Sequence, residues 1–181
     1  IRQEGNEPIW LLAFDQSGQI LEFGLNTTQN YSELEVDINA TDYNGNRIFI
    51  VATYDGSTKK IYKNGEEIVS ESQSGYLIYN EGTASIGSYL KTWGGLEGYY
   101  NGAIDDVIIW NNALSQEDVM EAYNNGVDEN FEGTNGVPGA TLSNIVAHYN
   151  FNEGSGTTVN DDSGNNYHGT KHGAVWDEGL T

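Results

Sequence analysis

Residues Arg47–Ser70 read RIFIVATYDGSTKKIYKNGEEIVS, and this stretch decides the fold. Arg47–Tyr54 is apolar and β-branched, as a buried strand is. Asp55-Gly56-Ser57-Thr58 turns the chain, and Lys59–Lys63 runs back. Asn64-Gly65 turns it again into Glu66–Ser70. Asn-Gly between two strands marks a type I′ hairpin, because both central residues of that turn need positive φ. Three consecutive antiparallel strands follow. Four of the seven basic residues (Arg47, Lys59, Lys60 and Lys63) lie here, with Glu66 and Glu67 across the turn from Lys63. Cross-strand ion pairs of this exposed kind stabilise little.

The same grammar extends toward the N-terminus. Ile9–Phe14 and Gln19–Leu25 form a hairpin around Asp15–Gly18, and Tyr31–Ile38 (YSELEVDI) alternates apolar with acidic residues. A period of two gives a strand with one wet face. Toward the C-terminus, Tyr76–Tyr79 and Ala84–Tyr89 read as short strands, and Lys91–Tyr100 (KTWGGLEGYY) as a Gly-rich aromatic loop. Asn101–Ser115 (NGAIDDVIIWNNALS) predicts a strand over Ala103–Trp110 that carries adjacent carboxylates, Asp105 and Asp106. Successive side chains of a strand face opposite ways, so one carboxylate is expected to point inward and to need a partner. With so few Lys and Arg in the chain, a metal ion is a candidate for it. Ser115-Gln116-Glu117-Asp118 opens a short helix, with a Ser cap and acidic residues in the first turn, and Gly126 ends it.

Asp128–Leu142 has linker composition. Ser143–Thr181 then starts something new: a strand at Ile145–Phe151, a short extended piece at Thr157–Val159, a polar loop Asp161–His168 and a strand at Gly169–Trp176. The expected organisation is therefore a body (1–127), a linker (128–142) and a tail of strands (143–181).

The chain has 181 residues, enough for one domain or one domain and part of another. Its 23 Gly, 2 Pro and 12% aromatic content match many short strands joined by Gly/Asn/Asp turns. The formal charge of −20 argues against nucleic acid and anionic membrane surfaces as partners. No Cys is present, so disulfides and thiolate metal sites are excluded. No apolar run approaches the ~18 residues of a membrane span. A first residue of Ile rather than Met fits a mature or excised piece of a longer protein.

VATYDGSTKKIYKNGEEI, IGS at Ile86–Ser88 and YYNGAIDDVIIWNNALSQEDV, in that order, resemble the laminin-G-like jelly rolls of the concanavalin-A-like superfamily. The resemblance spans residues 5–127 and implies an extracellular setting, either secreted or on a cell or virion surface. A Trp-His pair that usually precedes the VAxTYDGS strand is replaced by Arg47, Ile48 and Phe49. The tail, NIVAHYNFNEGSGTTVNDDSGNNYHGTKHGAVW, resembles the opening strands of such a domain, which the body lacks. Three arrangements follow: a slice of a tandem array, a circular permutation closed by its own tail, or a tail that completes a neighbouring copy by strand addition. The last implies self-association through the C-terminal segment.

Three sites are considered. The first is calcium. The loop from Asp162 to His168 gathers carboxylate, amide and carbonyl oxygens, and Ca²⁺ takes six to eight oxygens. Zinc is disfavoured without Cys and with three scattered His. The resemblance implies that a DxSGN loop and the IDxV Asp meet at one ion. That gives Asp105, Asp162 and Asn165, with carbonyls from Ser163 and His168 and with Glu153 as a weaker addition; the competing reading is an Asx turn. The second is a glycan patch of Trp93, Tyr89 and Tyr99 around the Gly-rich loop, where aromatic faces stack on sugars; Tyr100 and Trp110 are expected in the core. The third is catalysis, for which Glu33, Glu35 and Asp37 share one strand face. With no second partner motif and no aromatic groove, a solvated face is the expected reading, and His148 is read as a core or edge histidine.

The sequence thus predicts an all-β, antiparallel jelly-roll β-sandwich with one short helix. The function expected is non-catalytic binding of a glycan or cell-surface partner with a structural calcium ion. A structural or adhesive repeat is the alternative, and a carbohydrate-active enzyme a distant third.

Overall fold

The structure is a computed structural model. It describes residues 2–3, 9–15, 18–39, 41, 45–78, 83–90, 96–126 and 144–177. Its strands in chain order are β1 (Arg2–Gln3), β2 (Trp10–Phe14), β3 (Ile20–Asn26), β4 (Tyr31–Asp37), β5 (Ile50–Tyr54), β6 (Thr58–Lys63) and β7 (Glu66–Ser72). These are followed by β8 (Ala84–Ser85), β9 (Tyr89–Leu90), β10 (Leu96–Glu97) and β11 (Val107–Trp110), helix α1 (Gln116–Asn125), then β12 (Ile145–Tyr149), β13 (Thr158–Val159) and β14 (Gly169–Thr170). One sheet runs β4-β3-β2-β1-β8 and a second β5-β6-β7. Every pairing between them is antiparallel, so the fold class expected from the sequence is the one observed.

The main core lies between these two sheets. Leu21, Phe23, Leu25, Leu34 and Ile38 from the first meet Ile61 from the second, with Trp10, Leu12, Ile50 and Ala52 packed around them. Fully burying a side chain such as Ile61 stabilises by about 1.5–3 kcal/mol. The other face of the second sheet also packs. Tyr62, Phe49 and Val51 meet Leu114, Val119 and Ala122 of the helix segment, together with Trp110. The second sheet is therefore the middle layer, which explains why Phe49–Tyr54 reads as a nearly continuous apolar run.

The Asn-Gly turn has the expected geometry, with φ 51° at Asn64 and 88° at Gly65. Gly65 is also a point of close approach: a Cβ there would sit 2.8 Å from the Met120 sulfur. The Gln116 side chain donates to the Gly65 carbonyl, so the helix rests on the turn. Helix α1 begins at the predicted cap. Ser115 Oγ accepts from the Asp118 N–H at 3.2 Å, and Asp118 Oδ2 accepts from the Ser115 N–H at 3.0 Å, a reciprocal capping box. Gly126 caps the other end at φ 78°. Among the described residues no helix is long and apolar enough to cross a membrane.

Several expectations need correction. The last strand, predicted over Gly169–Trp176, spans only Gly169–Thr170, and the strand predicted over Ala84–Tyr89 breaks after Ser85. The strand predicted over Ala103–Trp110 starts only at Val107. Asp106 takes φ 49°, a left-handed conformation that cannot continue a strand, so Asp105 and Asp106 both stay exposed rather than one pointing inward. Tyr100, expected in the core, is 45% exposed and covers Phe14 from outside, with ring centroids 6.4 Å apart. Trp110 packs as expected against the helix-side cluster. Tyr79 and the linker 128–142 lie outside the described residues.

The tail strand β12 pairs antiparallel with β11 of the same chain, with Val107 opposite Tyr149 and Ile108 opposite His148. The register shifts between Ile109 and Trp110.

Candidate functional site

The described part of the tail is organised by Asp161. It is only 6% exposed. Its Oδ1 accepts from the His148 N–H at 2.9 Å and the Ser163 N–H at 3.0 Å, and its Oδ2 from the Tyr167 N–H at 2.9 Å. Burial raises the carboxyl pKa, but these hydrogen bonds favour the charged form more and hold it at about 2. The Asp161 N–H in turn donates to His168 Nδ1 at 3.0 Å.

The following residues lie along β12. Asp162 N–H donates to the His148 carbonyl, Ser163 Oγ to the Val146 carbonyl, and Asn165 Nδ2 to the Ile145 and Val146 carbonyls. The loop thereby replaces a neighbouring strand along β12 and blunts a strand edge that would otherwise template association.

This arrangement places each predicted calcium ligand. Asp162 is exposed, and its carboxylate accepts from Asn150 Nδ2. The amide nitrogen of Asn165 and the hydroxyl of Ser163 are engaged with β12. His168 serves through Nδ1 as an acceptor. Asp105 lies 3.8 Å from the Arg47 guanidinium, so the position that departs from the family pattern supplies its counter-charge. Partial desolvation, followed by repulsion from Asp105, raises the Asp106 carboxyl pKa, while His148 and Arg47 oppose the rise. Among the described residues no group of three or more His, Asp or Glu side chains is gathered as a ready metal cage.

Of the aromatic candidates, Trp93 lies outside the described residues, and Tyr89 is described in its backbone alone, in β9. Tyr99 is 69% exposed. Beside it, Tyr100 is tied to Gly87 by its N–H. Exposed Ile104 lies near Gly87 as well, its Cδ1 3.6 Å from where a Cβ would stand.

Glu33, Glu35 and Asp37 share an exposed face of β4, as predicted. Glu22 stands opposite Glu35 on β3. Its carboxyl pKa is raised by burial first, then by Glu33, Glu35 and Asp15.

Sequence reasoning missed three residues. Asp161 carries the loop where Asp162 was proposed. Lys59 is fully buried between the sheets. Asp118, read as a first-turn acid, is also fully buried. For Lys59 a signal existed, because it lies two residues from Ile61 and so shares its core face.

A family model described as the concanavalin A-like lectin/glucanases superfamily matches residues 1–120. No curated protein matches the sequence. A crystal structure from Bacteroides ovatus ATCC 8483, provisionally assigned as a carbohydrate binding protein, superimposes with a TM-score of 0.57 at 18% identity. That likeness covers 90% of this chain and 44% of the other, so the present chain spans less than half of that protein. An S-layer domain-containing protein from Clostridium thermocellum ATCC 27405 gives a TM-score of 0.38 at 18% identity, over 62% of this chain and 61% of that one.

Proposed function

Because the chain belongs to the concanavalin A-like lectin/glucanases superfamily, we propose that it is a non-catalytic glycan-binding module of a secreted or surface protein. The observation that carries this reading is the pair of exposed aromatic side chains Tyr99 and Tyr100, with exposed Ile104 following in the chain. Exposed aromatic faces with little side-chain entropy to lose suit the C–H faces of sugars. The carbohydrate-binding assignment of the Bacteroides neighbour agrees with it. The acidic face of β4 has the character of a solvated surface, which supports binding without catalysis. Retention on immobilised polysaccharides is the test. Tyr99→Ala is expected to weaken binding about tenfold, roughly 1.4 kcal/mol. A full glycan panel with no retention would overturn the proposal.

The tail is proposed to complete the body of its own chain, which the pairing of β12 with β11 supports. A structural repeat that lends its tail to a neighbour is the second reading; light scattering that finds concentration-dependent dimers would favour it.

Calcium is proposed between the end of β11 and the tail loop. What supports it is the pairing of β12 with β11, which brings the tail alongside the strand that follows Asp105, with Asp162, tied to Asn150 just beyond β12, as the second carboxylate. The Asn165 side-chain oxygen and the Ser163 and His168 carbonyls would add to the ligand set, and a bound ion would fasten tail to body. At a hundredfold excess over its dissociation constant, calcium adds about 2.7 kcal/mol. Each kcal/mol is worth about 2–4 °C in a domain of this size. The expected Tm rise of several degrees should vanish with a chelator, in Asp105→Asn and in Asp162→Asn alike. Loss in one variant only would mean that tail and body do not share the ion.

A further inference from the structure

Three Asn-Gly pairs lie wholly within the described residues: Asn64-Gly65, Asn101-Gly102 and Asn125-Gly126. The dipeptide carries its own chemistry. With no Cβ on the glycine, nothing shields its backbone nitrogen from the carboxamide carbon of the preceding asparagine. Loss of the N–H proton makes that nitrogen a nucleophile. It attacks the Asn Cγ, the Cγ–Nδ2 bond breaks, and the departing nitrogen takes up a proton and leaves as ammonia. Water then opens the cyclic imide at either carbonyl, giving aspartate or isoaspartate. The reaction needs a free carboxamide, a free glycine N–H and a backbone able to bring the two together.

The fold denies these conditions to two pairs and leaves them to the third. Asn64 Oδ1 accepts from the Phe49 N–H at 3.0 Å, and the Asn64 N–H donates to the Phe49 carbonyl at 2.8 Å. Gly65 is buried under Met120. Asn125 ends α1, and the Gly126 N–H donates to the Ala122 carbonyl at 3.0 Å. Asn101 and Gly102 are both exposed, lie outside any strand, and form no hydrogen bond with another described residue. The Tyr100 ring lies against this pair: a Cβ on Gly102 would stand 2.7 Å from Tyr100 Cε1. The same ring stacks on Phe14. Isoaspartate lengthens the backbone by a methylene and adds a carboxylate, so it shifts the peptide against which Tyr100 rests. We propose that Asn101-Gly102 is a site of spontaneous deamidation, left open by a fold that protects the other two pairs, and that isoaspartate there unseats Tyr100 from Phe14. The chain thereby carries a slow chemical clock beside its exposed aromatic pair. This chemistry is independent of the glycan-binding reading.

Peptide mapping by mass spectrometry, on the intact chain incubated at pH 8, tests the site. Asn101 should convert at least about tenfold faster than Asn64 and Asn125, equivalent to roughly 1.4 kcal/mol of local opening at the protected pairs. Its rate should rise with pH, because the attacking nitrogen must lose its proton. In denaturing urea the three rates should converge. Equal rates in the folded chain, or a difference that survives in urea, would refute protection by the fold. The consequence is read by NMR, as the through-space contact between the Tyr100 and Phe14 rings. That contact should be present in fresh wild type, lost in the converted chain, and kept in Asn101→Gln after the same incubation. Fresh Asn101→Asp gains the charge on an unaltered backbone and should keep it too. A contact retained in the converted chain, or lost equally in incubated Asn101→Gln, would overturn the unseating. Its loss in fresh Asn101→Asp would assign the effect to charge and overturn the part given to the lengthened backbone.

Discussion

Asp161→Ala is expected to lower the unfolding free energy by about 2–4 kcal/mol, a fall in Tm of roughly 4–16 °C for a domain of this size. The substitution leaves the His148, Ser163 and Tyr167 N–H groups without their shared acceptor, and each buried donor so orphaned costs about 1–3 kcal/mol unless water reaches it. Asp161→Asn is a stricter probe. It keeps the shape and one acceptor oxygen, but it turns a donor toward either Tyr167 N–H or the pair from His148 and Ser163.

The pH dependence follows from the native pKa of about 2 against the ordinary aspartate value of 3.8. A depressed carboxylate contributes stability that is present above the unfolded pKa and lost as pH falls through the native one. The contribution here is about 2.5 kcal/mol at most, from about 1.4 kcal/mol per pH unit, and it disappears between pH ~4 and pH ~2. Urea unfolding at pH 7, 4, 3 and 2 should show the wild-type chain losing its advantage over Asp161→Asn across that window. Parallel curves for the two proteins would mean that the carboxylate is not held as the hydrogen bonds indicate.

The same residue marks the limit of what the sequence discloses. In Asn160-Asp161-Asp162-Ser163-Gly164-Asn165 both aspartates have the composition of a ligand or of an Asx turn. Which one faces β12 depends on how the loop folds back on a strand twelve or more residues away, and no local pattern carries that. Local chemistry was legible where it is sufficient. Asn64-Gly65 needs positive φ at both positions and has it, and Ser115 with Asp118 forms its capping box within four residues. The strand predicted from Ala103 failed at Asp106, where a left-handed backbone overrides an apolar run on either side. The double-sided burial of β5 was visible as a continuous apolar stretch, but that of β6, which carries Lys59, Lys60 and Lys63, was not, and neither was the second partner α1, because a helix one layer away leaves no mark on strand periodicity. Arg47 was recognised as a departure from the family pattern, and its ion pair with Asp105 appears only in three dimensions.

Lys59→Met is expected to stabilise the protein at pH 7, by about 1 kcal/mol or more, despite deleting two hydrogen bonds. Lys59 is fully buried on the core face of β6. Its ammonium donates to Ser32 O at 3.1 Å and Ser32 Oγ at 2.9 Å on β4, so it bridges the two sheets through neutral acceptors. Burial lowers its pKa, and attraction from Glu71 and Glu33 offsets this only in part. Replacing buried charges by apolar residues of similar volume is often stabilising by about 1–4 kcal/mol, and Met keeps the unbranched stem that packs near Ile61.

A group whose native pKa is depressed below its unfolded value of 10.5 destabilises fully while both states are protonated. That burden lifts as pH rises through the window between the two pKa values, because there the unfolded chain binds more protons. Wild-type stability should therefore gain on the variant as pH rises toward 10.5, and the difference measured by urea unfolding should shrink to the value of the two hydrogen bonds. A variant less stable than wild type at pH 7 would instead mean that the Ser32 contacts outweigh the desolvation of the charge. Lys59 would then be a polar tie fixing β6 against β4 in the sandwich, rather than a cost that the fold carries.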